Sequence, residues 1–323
     1  MKKVAMVGKI HLDGWEILTN KGYDVFEIND LSKDNLIKEL SDVDAVGLRT
    51  AAMDEDILKA CPNIKIIARH GVGYNNVDLN FLNQHNQALA VTGTSNAVSV
   101  AEHVMTMFLY LAKNINKSDN LVRSGRFTEQ SSLPNFFELY QKKILILGFG
   151  RIGQAVAKRC LGFDAKVNIF DPFVDQATIE KKNCTKVEFN EGIKSADFIT
   201  IHLPLSDKTK NLIDKKHFTQ MKDNTILINT ARGGIVNEED LYWALKNKNI
   251  HGAGIDVFEI EPPNINNPLL KLDNILLSPH NAALTLECRK RMAVETAENI
   301  LYFLEDHLKL NKENIINRKN LNL

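Results

Sequence analysis

Disulfide and metal-ligand patterns are missing from this sequence. Its four cysteines are scattered, and there is no C-x-x-C pair, no zinc-ligand spacing and no H-x-x-x-H pair. Cys61 and Cys160 lie in apolar helical contexts, so we interpret the cysteines as buried free thiols, which suit a reducing cytosol. The sequence therefore predicts neither a disulfide framework nor a metal site.

Long hydrophobic runs and an excess of one charge sign are also absent. The 40 basic residues balance 40 acidic ones, so no overall field favours nucleic acid or an anionic membrane. No apolar stretch approaches the length of a membrane span. The N-terminal run is broken by Gly8 and Lys9 and lacks a cleavage site, so it indicates a buried strand rather than a signal peptide. We expect a globular cytoplasmic protein without nucleic-acid or membrane partners.

With 323 residues, 44% of them hydrophobic, the chain can build the cores of two domains. Short β-branched runs alternate with helical patterns, which is typical of parallel sheets with crossover helices. The first series of runs is KVAMVG, DVFEI, DAVGL, IKIIA and LAVTG, and the second is KILIL, KVNIF, DFITI, TILIN, AGIDVF and NILLS. The predicted fold class is therefore α/β, with two Rossmann-like, doubly wound parallel-sheet domains.

Two long helical patterns flank the second series. Residues 98–122 keep one continuous apolar face and are predicted as a single helix, whereas 124–143 lose periodicity and are predicted as a connection. Residues 284–307 form a second long helix, which we expect to return to the first domain. The predicted domains are a discontinuous one, 1–98 with 286–323, and a central one, 99–285.

The sequence contains one dinucleotide-binding pattern, G-x-G-x-x-G, at Gly148, Gly150 and Gly153, between a buried strand and a helix. These glycines would permit a tight turn, close approach of a pyrophosphate and close helix–strand packing. Asp171 ends the next strand, where a carboxylate holds ribose hydroxyls and repels a 2′-phosphate. The pattern predicts NAD rather than NADP; a methyl-transfer enzyme with an adenosine cofactor is the main competing interpretation.

Three charged residues follow later strands, where open α/β sheets place their ligands. Arg232 could bind a substrate carboxylate, His280 could transfer a proton, and Glu261 could orient that imidazole. Each has an ordinary alternative as a surface ion pair, a solvated turn residue or a structural histidine. Three further histidines also lie near loops that could carry chemistry, namely His70, His103 and His202.

The chain resembles the D-isomer-specific 2-hydroxyacid dehydrogenases, within them the phosphoglycerate dehydrogenase-like branch. The resemblance extends over nearly the whole chain, through the motifs RHGVGYNNVDL, SNAVSVAEH, ELYQKKILILGFGRIG, HLPL, INTARGGIVNEEDL, GIDVFEIEPP and SPHNAALT. It implies an NAD-dependent oxidoreductase acting on a small 2-keto or 2-hydroxy acid, with Arg232, Glu261 and His280 as catalytic residues. It also implies dinucleotide contacts at Arg151, Ile152, Asp171, Thr230, Ala231 and Asp256.

The same resemblance implies a flavodoxin-like substrate domain built from both chain ends, an NAD-binding Rossmann domain and a homodimer formed through the long helix after Ser99. Two departures concern the substrate. Asn75 stands where the family usually has Asp, and the residues after Arg49 lack a second arginine found in some phosphoglycerate enzymes. Because the chain ends soon after its last helix, no C-terminal regulatory domain is expected.

Substrate binding is assigned to Arg49, Arg69 and Gly73, since the two arginines end candidate strands of the first domain. They could bind the phosphate of 3-phosphoglycerate. Glyoxylate, hydroxypyruvate and other small 2-keto acids remain alternatives, because fold and charged triad do not fix the substrate. A non-enzymatic NAD-sensing protein of the same fold is the competing function.

Overall fold

The chain folds as two compact units in a computed structural model that describes residues 1–323. The first unit is Met1–Asn96 with Leu284–Leu323, and the second is Ala97–Ala283. The boundaries expected from the sequence lie two residues further along at both junctions. The first junction is set by the helix that begins at Ala97, which lies wholly within the second unit.

The first unit contains a five-stranded parallel sheet in the order β2-β1-β3-β4-β5, the flavodoxin-like order. Its strands are β1 Lys3–Val7, β2 Asp24–Ile28, β3 Ala45–Leu48, β4 Ile66–Arg69 and β5 Ala88–Val91. The crossover helices are α1 Leu12–Thr19, α2 Lys33–Leu40, α3 Glu55–Ala60 and α4 Leu79–Gln84. Each predicted strand of this domain is present; β1, β3, β4 and β5 are largely buried apolar runs, whereas the edge strand β2 is only partly buried.

The second unit contains a seven-stranded parallel sheet in the order β12-β11-β10-β9-β6-β7-β8. Its strands are β6 Lys143–Leu147, β7 Lys166–Phe170, β8 Thr185–Lys186, β9 Phe198–Ile201, β10 Ile226–Asn229, β11 Gly252–Ile255 and β12 Ile275–Leu277. Six of them follow the Rossmann order, and β12 extends the sheet beyond β11. Two parallel sheets confirm the predicted α/β fold class; the two-residue strand β8 was not predicted.

Helices cover both faces of the second sheet. They are α5 Ala97–Lys113, α6 Ile115–Arg123, α7 Arg151–Leu161, α8 Gln176–Glu180, α9 Phe189–Ser195, α10 Lys215–Phe218 and α11 Glu238–Lys246. One hydrophobic cluster packs α5 and α7 against the sheet, and a second cluster lies under α9, α10 and α11. No helix of either unit combines the length and the apolar character that crossing a bilayer requires.

The prediction of one helix over 98–122 is wrong. The chain breaks at Asn114, whose φ of 46° is left-handed, so α5 ends at Lys113 and α6 starts at Ile115. Asparagine tolerates this conformation better than most residues, and the sequence beyond it is mainly polar. The segment after α6 is largely irregular, as predicted, with one short 3-10 helix at Phe127–Ser132.

The last long helix, α12 at Leu286–Glu305, packs against α1 and β4 of the first unit. Its buried face includes Ala293 and Ala297. A Cβ at Gly14 of α1 would lie 2.5 Å from the carbonyl oxygen of Ala293, so the two helices approach as closely as a glycine permits. The C-terminal helix therefore packs on the first sheet and is an integral part of the first unit.

Candidate active site and dinucleotide site

The glycine loop between β6 and α7 has three glycines with different tasks. Gly148 has a φ of +97°, and a Cβ there would lie 2.7 Å from the carbonyl oxygen of His202. A Cβ at Gly153 would lie 2.1 Å from the carbonyl oxygen of Gly148, so this glycine lets helix and strand pack. Gly150 is the N-cap of α7, has extended backbone and would place a Cβ in open space. The fold requires Gly148 and Gly153, whereas Gly150 leaves room for a ligand.

Asp171, at the end of β7, ties that strand to the glycine loop. Its Oδ2 accepts from the Phe149 backbone N–H at 2.8 Å, and its Oδ1 accepts from the Phe173 N–H at 2.8 Å. Arg151 and Ile152 form the first turn of α7, with Arg151 exposed and Ile152 half-buried. Asp171 therefore stabilises the conformation of the glycine loop. The ribose contact predicted for it would be an additional role.

The end of β10 supplies a second polar edge. Thr230 is buried and its hydroxyl has no hydrogen-bond partner in the protein. Asn229 braces the following turn: its Oδ1 accepts from the Ala231 N–H at 3.0 Å, and its Nδ2 donates to the Arg232 carbonyl at 2.9 Å. An unpaired hydroxyl at Thr230 and open space at Gly150 fit a bound dinucleotide, because a ligand could satisfy the first and fill the second.

Arg232 follows that braced turn. Its Nη1 donates to the Ala231 carbonyl at 2.6 Å, and the residue is half-buried. Burial lowers the pKa of Arg232 from its ordinary value, while the nearby Glu261 carboxylate opposes that shift. A Cβ at Gly233 would lie 1.8 Å from the Phe258 carbonyl oxygen. The glycine after Arg232 thus permits a close approach of two backbone segments.

Glu261 and His280 form a hydrogen-bonded pair. The distance from His280 Nδ1 to Glu261 Oε2 is 2.8 Å, and Glu261 Oε1 accepts from the Phe258 N–H at 3.0 Å. The side chains of His280 and Glu261 are 51% and 38% exposed, so a substrate can reach them. A carboxylate on Nδ1 favours the proton on that nitrogen and leaves Nε2 to face a substrate.

An apolar pocket of about 360 Å³ adjoins this pair. Besides Glu261 and His280, its lining residues are Phe258, Pro262, Pro263, Leu270, Leu277, Ser278 and Pro279. The pair therefore lies at the edge of a mainly apolar surface.

Asp256, for which a dinucleotide contact is predicted, follows β11 and uses both carboxylate oxygens within the protein. The side chain is buried; Oδ1 accepts from the Ser278 hydroxyl at 2.5 Å and from the Asn281 N–H at 2.9 Å. Oδ2 accepts from the Ala282 N–H at 3.1 Å. Both oxygens therefore bind the loop that carries His280.

The other candidate histidines are enclosed or bound. Burial lowers the pKa of His202 to about 3, and its Nε2 lies 3.0 Å from the Thr200 hydroxyl. Burial, with a smaller effect of Arg49, lowers the pKa of His70 to about 4. Both are neutral at neutral pH; His70 is buried and His202 is half-buried with an enclosed Nδ1, so neither suits proton transfer. His103 contacts Ser278.

The predicted substrate residues of the first unit lie at the carboxyl edge of its sheet. Arg69 ends β4 opposite Leu48 of β3, so Arg49 is the next residue along the neighbouring strand. Arg69 Nε donates to the Gly73 carbonyl at 2.7 Å, and its Nη1 donates to the Leu48 carbonyl at 3.2 Å. The structure brings Arg69 and Gly73 together and commits two Arg69 donors to the backbone.

Sequence reasoning missed the residues that brace the site. Besides Asn229, these include Glu238, whose two carboxylate oxygens accept from the Glu259 N–H at 2.5 Å and the Asn267 side chain at 3.0 Å. The partners of Asn229 are backbone groups two and three residues away, whereas those of Glu238 lie 21 and 29 residues away. For Asn229, a polar residue at a strand end was the available signal, and it does not identify the partner; Glu238 begins α11 and gave no such signal.

Comparison with known proteins agrees with this geometry. Residues 105–282 match the model of the D-isomer specific 2-hydroxyacid dehydrogenase, NAD binding domain. The match confirms NAD as the cofactor predicted from the glycine motif. Among solved structures, NAD-dependent formate dehydrogenase from Staphylococcus aureus, in complex with NAD, is similar with a TM-score of 0.82 and 31% identity; the similarity covers 98% of this chain and 99% of that one.

Relatives with assigned names carry the resemblance across most of the sequence. A D-3-phosphoglycerate dehydrogenase from Archaeoglobus fulgidus is 36% identical over 93% of this chain, which spans 56% of that protein's length. A hydroxypyruvate reductase from Thermotoga maritima is 36% identical to this chain. The similarity covers 88% of this chain and 92% of the length of that protein. The chain therefore belongs to the D-isomer specific 2-hydroxyacid dehydrogenase family.

Proposed function

We propose that this protein is an NAD-dependent oxidoreductase that interconverts a small 2-keto acid and the corresponding D-2-hydroxy acid. The observation that carries the proposal is the Glu261–His280 pair, hydrogen-bonded at 2.8 Å and accessible, in the same unit as the braced guanidinium of Arg232. The D configuration follows from the family and from nothing in the geometry.

Each of the three residues has a defined task. The guanidinium of Arg232, partly desolvated, binds the substrate carboxylate, because planar bidentate donors match that group. His280 Nε2 gives a proton to the keto oxygen in reduction and takes it from the hydroxyl in oxidation. Glu261 orients the imidazole through its hydrogen bond to Nδ1. Bound NAD supplies or accepts the hydride.

The dinucleotide residues are assigned from their places at the carboxyl edge of the second sheet. Gly148, Gly150 and Gly153 shape the loop, and the free N–H groups at Arg151 and Ile152 face the phosphates. Asp171 binds the ribose. The unpaired Thr230 hydroxyl, beside Ala231, finds its partner in the ligand. Asp256 acts on this site through the loop that carries His280.

A phosphorylated acid, 3-phosphoglycerate with its keto form phosphohydroxypyruvate, is the first substrate to test. Arg49 and Arg69 supply two guanidinium groups at adjacent strand ends, and one relative is named for this substrate. Another is named a hydroxypyruvate reductase, so unphosphorylated acids, glyoxylate among them, form the second candidate class.

We also propose a cytoplasmic homodimer. All four cysteines are buried and free, which suits a reducing compartment.

Large apolar side chains are exposed on α6 and the segments around it, at Ile115, Val122, Phe127, Phe136 and Tyr140. A second copy would cover them. Light scattering on the purified protein should give twice the chain mass; a monomer mass would overturn the dimer.

The deciding experiment is NADH oxidation by the purified protein with phosphohydroxypyruvate, hydroxypyruvate, glyoxylate and pyruvate, beside His280→Ala. We expect turnover with at least one acid and a loss of about 10²- to 10⁴-fold in the variant, the range for a general acid–base group. NADH affinity of the variant should stay unchanged. Selectivity for phosphohydroxypyruvate would make Arg49 and Arg69 the phosphate ligands to substitute. NADH binding without any turnover would contradict the enzyme and favour an NAD sensor.

A further inference from the structure

The loop Ser278–Ala282, here called the histidine loop, is held unusually tightly for a segment with an exposed side chain at its centre. Asp256 makes four bonds to it: its carbonyl accepts from the His280 N–H at 2.8 Å, and its carboxylate accepts from Ser278, Asn281 and Ala282. Because the carboxylate is buried, these charge-assisted bonds are shielded from water.

Helix α5 holds the same loop from another side. The Ser99 hydroxyl donates to the Ala282 carbonyl at 2.6 Å, and His103 Nε2 lies 3.0 Å from the Ser278 hydroxyl oxygen. The single proton of the Ser278 hydroxyl goes to Asp256, so His103 Nε2 must be the donor to Ser278. Ser278 therefore joins a histidine of α5 to the acid that follows β11.

The conformation at the centre of the loop explains why so many contacts are needed. His280 has a φ of +52°, in the left-handed region that non-glycine residues seldom adopt. Such a conformation is unfavourable for a non-glycine residue and persists only where its surroundings determine it. The bonds to Ser278, Asn281 and Ala282 lie on both sides of His280 and fix its backbone between them.

We propose that Ser278 and His103, with Asp256 and Ser99, form a clamp that positions the His280 imidazole for proton transfer. All four are positioning residues, since each acts through the histidine loop and their role rests on the proposed function. A displacement of about 1 Å in a reacting group can cost about 10²-fold in rate, so a loosened loop should slow turnover with the imidazole still present.

A double-mutant cycle tests the clamp with NADH and the best acid of the panel. Ser278→Ala should lower kcat by about 10- to 100-fold with NADH affinity unchanged, and Ser278→Thr, which keeps the hydroxyl, should restore most of it. In the His280→Ala background, Ser278→Ala should cause no further loss, because no imidazole remains to be positioned. Ser118→Ala on α6 is the matched control and should leave kcat unchanged.

The outcomes separate the clamp from the proposed function. An equal loss of kcat in both backgrounds would mean that Ser278 acts on the fold generally, and this would overturn the clamp alone, as would a normal kcat in Ser278→Ala. A normal kcat in His280→Ala would overturn both the clamp and the proposed mechanism. If Ser278→Ala fails to fold, as shown by its thermal unfolding, Ser99→Ala and His103→Ala replace it in the same cycle.

Discussion

Arg232 combines two properties at the residue scale, a planar guanidinium and partial removal from water. Its backbone is fixed by Asn229 and by the close packing of Gly233, so the guanidinium is delivered from a rigid turn. Partial burial strengthens its attraction for a carboxylate, because fewer water molecules compete. A lysine would keep the charge but lose the paired donors, and its compact ammonium would suffer more from desolvation.

We therefore predict that Arg232→Lys lowers kcat/KM by about 10²- to 10³-fold, mainly through KM for the keto acid, while NADH affinity stays the same. Steady-state kinetics and NADH fluorescence titration measure the two effects. Arg123→Lys, at an exposed ion pair with Asp119, is the control and should behave like the wild type. Unchanged kcat/KM in Arg232→Lys would remove Arg232 from carboxylate binding.

His202 provides a residue-scale prediction about pH. Burial lowers its pKa from the ordinary 6.5 to about 3. As pH falls below about 6.5, the unfolded chain takes up a proton that the folded chain refuses, so stability present at neutral pH is lost. The free energy of unfolding should fall by about 1.4 kcal/mol per pH unit for this one group, down to its folded pKa.

The measurement is urea unfolding between about pH 6.5 and pH 5, before most carboxylates titrate. His202→Leu should show a shallower pH dependence, by about one proton, whatever its stability at neutral pH. Ile201→Val, a neighbouring core substitution without a titrating group, should shift stability equally at every pH. If His202→Leu keeps the wild-type slope, His202 is protonated in the folded state as it is in the unfolded chain, and burial does not lower its pKa.

At the scale of elements, the glycines of the loop between β6 and α7 differ in role. One is required by the packing of the fold, and another leaves space for a ligand. A Cβ at Gly153 collides with the Gly148 carbonyl, whereas a Cβ at Gly150 meets no protein atom within 4 Å. We predict that Gly153→Ala lowers both thermal stability and NADH affinity. Gly150→Ala should keep wild-type stability and lose about tenfold or more in NADH affinity, because its methyl group occupies ligand space.

The two glycine variants control each other, since both place the same methyl group on one loop. Thermal unfolding without cofactor and NADH titration give the two readouts. Wild-type NADH affinity in Gly150→Ala would show that the pyrophosphate does not approach this backbone.

The strands and helices also show how much of the fold can be predicted from the sequence alone. Strands such as β6 and β10 were predicted because a buried parallel strand is a short apolar run with little ambiguity. The break at Asn114 was missed because hydrophobic periodicity does not report the φ of a single residue. The two-residue strand β8 has too few residues to show any period.

The same limit applies to the site. Arg232, Glu261 and His280 could be proposed from sequence, because parallel strands bring their carboxyl ends to one edge of a sheet. The bonds of Asp256 to the histidine loop could not, since they join residues more than twenty positions apart, and two of the three side-chain bonds come from backbone N–H groups that leave no mark in the sequence. The chemistry of a site is thus easier to predict than its support.

At the scale of the whole molecule, the two units differ in the chain segments that form them and in the functional residues that they contain. The first unit is assembled from two separate segments, and α12 belongs to the second of them. The second unit, Ala97–Ala283, is one continuous segment with two hydrophobic clusters of its own. It also contains every residue assigned to the dinucleotide and to proton transfer.

A continuous segment with its own cores should fold without the rest of the chain. We predict that the isolated Ala97–Ala283 fragment shows a cooperative thermal transition and binds NADH with an affinity within about tenfold of the full chain. Circular dichroism and fluorescence titration measure these properties, and Gly150→Ala in the fragment should reduce binding as in the full chain. A folded fragment that does not bind NADH would place essential cofactor contacts in the first unit. An unfolded fragment would show that the second unit depends on the first for its stability, despite its separate clusters.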